Sequence, residues 1–74
     1  MDRARVKEQL EQVRYHIAQG EKHIARQRRL VAELELDGHE ATHARETLNR
    51  FEDLQRLHVQ ERDRLERELA SDAE

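Results

Sequence analysis

Cysteine, proline and tryptophan are all missing from these 74 residues, and glycine occurs only twice. Without cysteine there is no disulfide framework, no thiolate metal ligand and no thiol nucleophile, which accords with a reducing compartment. Apolar runs of membrane-spanning length are missing too, and the opening "MDRARVKEQLEQV" alternates charges where a signal peptide needs an unbroken apolar core. A cytoplasmic setting without membrane association is expected. Charged residues make up 42% of the chain and aromatics 3%, a balance that suggests disorder until the lack of proline and the regular recurrence of apolar residues are considered. Charge-rich helix fits both better.

A chain this short forms at most one small domain, near the size where a single core barely offsets chain entropy. With no staple available, a partner subunit is the natural source of further stability. The apolar pattern shows where a partner would bind. Val6, Leu10, Val13, Ile17, Gly20, Ile24, Gln27, Val31 and Leu34 follow one another at steps of four and three, which is a heptad seam. Ala41, Ala44, Leu48, Phe51, Gln55, His58, Arg62, Leu65 and Leu69 repeat the alternation. Leu54, Leu57 and Val59 lie beside this second seam and widen its apolar face to about half the helix circumference. One antiparallel neighbour cannot cover a face that wide.

Between the seams sits Asp37-Gly38, the one plausible break, where Gly38 can take the left-handed conformation that ends a helix. The expectation is a single domain with helix 1 over about 3–36, a turn over about 37–41 and helix 2 over about 42–70. The second helix has two candidate starts, an Asp37-x-x-Glu40 capping box or a later opening at Glu40 or Thr42. Folding about residue 38 sets Leu34 near Ala41, Gln27 near Leu48, Ile24 near Phe51, Ile17 near His58, Leu10 near Leu65 and Val6 near Leu69. Gly20 then falls between Phe51 and Leu54 and leaves room for a large side chain opposite. Residues 1–36 carry net charge +2 and residues 37–74 net −5, so the two helices attract. Gln27, Gln55 and Arg62 are polar residues at seam positions, where such residues often fix register or oligomeric state.

His39-Glu40-Ala41-Thr42-His43 matches the H-E-x-x-H pattern of zinc metalloproteases. Such a site needs both histidines on one buried helical face, a third protein ligand and a substrate cleft from a larger fold. Here His39 directly follows the Asp-Gly break, and a five-residue match is weak in a chain with five histidines and twelve glutamates. Turn and capping roles are favoured over metal chemistry for His39 and His43. His58 lies within the second seam, and His16 and His23 flank the first, one heptad apart. They read as amphipathic seam residues, with a metal or pH-sensing layer of His16, His23 and His58 as the weaker alternative, since no Glu-x-x-His pair lies on the inner face.

Arg26, Arg28 and Arg29 in "HIARQRRL" are the candidate nucleic-acid contacts. The overall charge of −3 and the lack of nearby aromatics beyond Tyr15 favour a solvated face paired with the acidic second helix.

The stretches "GEKHIARQRRLVAELELDGH" and "FEDLQRLHVQERDRL" resemble a group of short bacterial helical-hairpin proteins with no known activity. The resemblance covers roughly residues 15–65 and implies a fold and a bacterial cytoplasmic setting only. The expectation is an all-α antiparallel two-helix hairpin that dimerises into a four-helix bundle. It would act as a small non-enzymatic protein–protein interaction or regulatory module, without a cofactor and with a further protein partner left open. Its expected core and interface residues are Val6, Leu10, Val13, Ile17, Gly20, Ile24, Val31, Leu34, Leu48, Phe51, Leu54, His58, Leu65 and Leu69. The alternatives are a nucleic-acid-associated bundle using Arg26, Arg28 and Arg29, which the charge disfavours, and a histidine metal-binding bundle.

Overall fold

The computed structural model describes residues 2–72, and these form two helices in contact, with no strand among them. Helix α1 spans Arg3–Leu36 and helix α2 spans Thr42–Asp72. They lie side by side as a hairpin 57 Å long and 14 Å across, close to the length of 34 residues rising about 1.5 Å each. No described helix is long and apolar enough to cross a membrane.

Both ends of α1 and the start of α2 have identifiable causes. Asp2 caps α1: its carboxylate accepts from the amides of Ala4 at 3.0 Å and Arg5 at 3.3 Å, and its carbonyl accepts from Val6 at 3.1 Å. That satisfies donors which a helix start leaves without intrahelical partners. At the other end Gly38 takes φ +74°. Its amide donates to the carbonyl of Glu35 at 3.2 Å, and the amide of His39 donates to that of Leu34 at 2.8 Å. These paired bonds are a Schellman motif.

Helix α2 takes the later of its two candidate starts, at Thr42. The Asp37-to-Glu40 capping box does not form, because the Glu40 carboxylate bonds forward to the Thr42 amide at 2.7 Å and to the Thr42 hydroxyl. Ala41 supplies the carbonyl that accepts from Arg45 at 2.9 Å, but its methyl cannot cap. Glu40 does so from one residue earlier.

The core is densest away from the turn. Val6, Leu10, Val13, Ile17 and Leu65 form one buried cluster, with Val59 and Leu69 packed against it. Leu65, at 1% exposed, is the most fully enclosed large side chain, and such burial contributes about 1.5–3 kcal/mol. Toward the turn, Ile24, Val31, Ala41 and Ala44 are buried, while Leu34, Leu48, Phe51 and His58 are half-buried. Among the expected core and interface residues Leu54 is not buried, at 52% exposed, and its neighbour Leu57 is 61% exposed. The wide apolar face of α2 is therefore real, and α1 covers only part of it.

A methyl group at Gly38 would meet nothing within 4 Å, so replacing this glycine costs backbone strain alone. Gly38→Val is expected to lower stability by about 1–2 kcal/mol, the cost of the left-handed conformation for a residue with a side chain, and Gly38→Asn by less. Circular dichroism melts would measure both. Equal melting of wild type and Gly38→Val would mean that the bend does not depend on this conformation.

Candidate functional site

The middle of the hairpin is organised by an amide seated on a glycine. A β-carbon at Gly20 would lie 2.0 Å from Oε1 of Gln55 and 2.8 Å from its Cδ, so the missing side chain is what admits the glutamine. The Gln55 Nε2 donates across the interface to the carbonyl of Ile17 at 2.9 Å. Gln27 returns the interaction in the opposite direction, its Nε2 donating to the carbonyl of Ala44 at 3.0 Å. The side chain filling the Gly20 gap is thus Gln55, whereas the expected position of the glycine fell between Phe51 and Leu54. The pairing that sets Ile24 against Phe51 also sets Gly20 against Gln55, so the register itself held this signal. Gln55 Oε1 is buried without a donor. Arg62, the third polar seam residue, turns along its own helix to Asp63 at 3.1 Å.

About this centre the two edges of the hairpin differ. On one, Arg28 pairs with Glu52 at 2.9 Å and Arg14 with Glu66 at 3.3 Å. The partners are two heptads apart on each helix, which places both bridges on the same edge. These pairs are solvent-exposed, so each contributes about 0–1 kcal/mol.

The other edge is aromatic and apolar. His16 and His58 stack across the two helices, with ring centroids 5.3 Å apart and planes inclined by 21°. Tyr15 meets His16 edge-on at 5.9 Å, and His23 tilts against Phe51 at 5.9 Å. His16, Gln19, Gly20, His23, Phe51, Leu54, Gln55 and His58 line a groove of about 190 Å³. Exposed Leu54 forms part of its wall, and exposed Leu57 stands one turn further along α2. Nothing in residue type predicts the stack, which depends on how two rings from different helices rotate.

The other sequence candidates fall apart in space. Arg28 is drawn to Glu52, whereas Arg26 and Arg29, three residues apart, share a different part of α1. The three arginines do not form one basic patch. His39 belongs to the Schellman turn and His43 to the first turn of α2, both exposed. The intervening Glu40 is held by Thr42. Among the described residues no three of His, Cys, Asp or Glu are grouped so as to hold a metal ion. The H-E-x-x-H pattern has become a helix stop followed by a helix start.

Glu40 carries one of the few perturbed carboxyls. The Thr42 hydroxyl, then the Thr42 amide, hold it below the usual value of 4.5, with slight desolvation opposing and the Arg45 charge and the Ala41 amide assisting. Glu61 is lowered in the same direction, chiefly by its hydrogen bond to Arg64.

No family model, curated protein or solved structure matches this chain.

Two predictions follow from these contacts. Alanine is better than glycine in a helix by about 1 kcal/mol, yet Gly20→Ala is expected to yield little or no gain while Gln55 is present. The new methyl displaces the amide and forfeits its bond to Ile17, worth about 0.5–1.5 kcal/mol. In a Gln55→Ala background the same change should deliver the full gain. A double-mutant cycle additive within about 0.3 kcal/mol would show that the amide does not rest on Gly20.

The Glu40 cap makes part of the stability pH-dependent. Because its carboxyl is lowered on folding, its contribution is complete above the unfolded value and disappears as pH falls through the folded value, below 4.5. Glu40→Gln should flatten that acid portion of the profile, read as the difference between wild-type and variant melting temperatures. A difference that stays constant from neutral pH down through this range would remove the cap from the account.

Proposed function

We propose that this chain is a small non-enzymatic interaction module, a helical hairpin that binds a second copy of itself through its histidine and leucine edge to form a four-helix bundle. The observation that carries the reading is the exposure of Leu54 and Leu57 at 52% and 61% on a helix already packed against α1, the other helix among the described residues. Exposed apolar side chains clustered beside a groove mark interaction surfaces. Tyr15, 62% exposed and in contact with His16, extends the same edge. A further copy approaching here would meet imidazole, aromatic and leucine side chains, and would leave the ion-paired edge undisturbed.

Size supports the same reading. A hairpin of two helices buries one stripe of each, and domains this small commonly need association to stabilise a modest core.

Light scattering at micromolar concentration is expected to give a mass of at least about twice the 8.9 kDa of one chain. Leu54→Glu combined with Leu57→Glu should reduce it to a single chain, since buried carboxylates without partners oppose association. A wild-type mass of 8.9 kDa with an unchanged cooperative melt on dilution would overturn the reading.

A further inference from the structure

We infer that His16 and His58 together form a binding site for a divalent transition-metal ion of the imidazole-preferring class, with zinc as the working case. This goes beyond self-association, because both ligands belong to one chain and bridge its two helices. Two imidazole nitrogens at about 2 Å from one tetrahedral zinc place their ring centres roughly 5 Å apart. The centroids of His16 and His58 are 5.3 Å apart. Helix packing has therefore already brought the two rings to the separation that a shared ion requires. Their planes, inclined by 21°, do not converge on a common point, and each ring has to turn about χ2 to aim a nitrogen at the metal. That torsion is broad and soft for histidine, and the groove of about 190 Å³ beside the rings gives space for the movement.

A second observation supports the same location. Gln55 lines this groove one turn before His58, and its Oε1 is a buried acceptor without a donor. Ligating histidines commonly donate their second ring N–H to a carbonyl oxygen, which fixes their orientation. The Gln55 oxygen is an unsatisfied acceptor of that kind in the wall of the same groove. His23 leans instead on Phe51 and is left out of the assignment. With two protein ligands from one chain, the ion's remaining positions are left for water or for groups of the second copy that the proposed assembly seats on this edge. The site suits zinc, nickel or copper over magnesium or calcium, which prefer several hard oxygen ligands.

The exposed pair His39 and His43, four residues apart around the start of α2, is the competing location. Calorimetric titration of the full chain with zinc chloride distinguishes the two. One zinc per chain is expected, with affinity reduced at least about tenfold in His16→Ala and in His58→Ala, and changed less than about twofold in His39→Ala/His43→Ala. Zinc should also raise the melting temperature of wild type but not of His16→Ala, because the ion links α1 to α2 and binds only the folded hairpin. His16 is exposed, so its variant keeps the test valid if His58→Ala fails to fold. Light scattering of each variant separates loss of uptake from loss of assembly. Uptake that survives both single substitutions, uptake abolished only by the His39/His43 pair, or no uptake at millimolar zinc would each overturn the inference.

Discussion

Register in this hairpin depends on two amides that cross between the helices in opposite directions. Apolar seams alone are permissive: a heptad repeat slides by one repeat with little change in the character of its contacts. Gln55 reaching the Ile17 carbonyl and Gln27 reaching the Ala44 carbonyl remove that freedom, because a slipped helix leaves two partly buried amides without partners. Such a loss costs about 1–3 kcal/mol for each unsatisfied group, a large share of the stability of a small domain. Gly20 belongs to the same device. Its usual penalty in a helix is offset by the space it gives the Gln55 amide, and any side chain there would collide with it.

Attraction between a basic first helix and an acidic second one contributes less than the totals of +2 and −5 suggest. Only Arg14–Glu66 and Arg28–Glu52 span the interface as ion pairs among the described residues, and both face solvent, where screening makes each worth little. Arg64 bonds to Glu61 and Glu68 along its own helix instead. The buried cluster around Leu65 and the crossed amides hold the helices together, while the ion pairs define an edge that is already occupied.

Much of the architecture could be read from the residues. Helix requires no more than the steps of three and four between apolar positions, and the hairpin follows from a glycine at the one place where both seams stop. Leu54 and Leu57 outside the strict seam already signalled a face wider than one neighbour could cover. Side-chain geometry was harder to read. The register pairs Gly20 with Gln55, but bulk alone argues for an aromatic there, and only the hydrogen bond to Ile17 explains why an amide wins. The start of α2 was ambiguous because Asp37, Glu40 and Thr42 are all capable caps. The Schellman bonds draw residues 37–39 into the turn, and that leaves Glu40 as the nearest carboxylate to the free Thr42 amide.

The fate of the two histidine motifs shows why spacing along a chain is a poor guide to chemistry in so short a protein. His39 and His43 carry the pattern of a metal-binding helix, but a left-handed glycine just before them ends one helix and the next begins between them. The continuous turn that would align the two rings on one helical face does not exist. His16 and His58 are forty-two positions apart and belong to no contiguous ligand motif, yet the hairpin stacks their rings. Antiparallel packing converts distant positions into neighbours at a separation set by the interhelical distance, and that distance is fixed by the small and apolar residues of the seam. Side chains from both helices therefore converge along the groove between them, beside an apolar edge that α1 leaves uncovered.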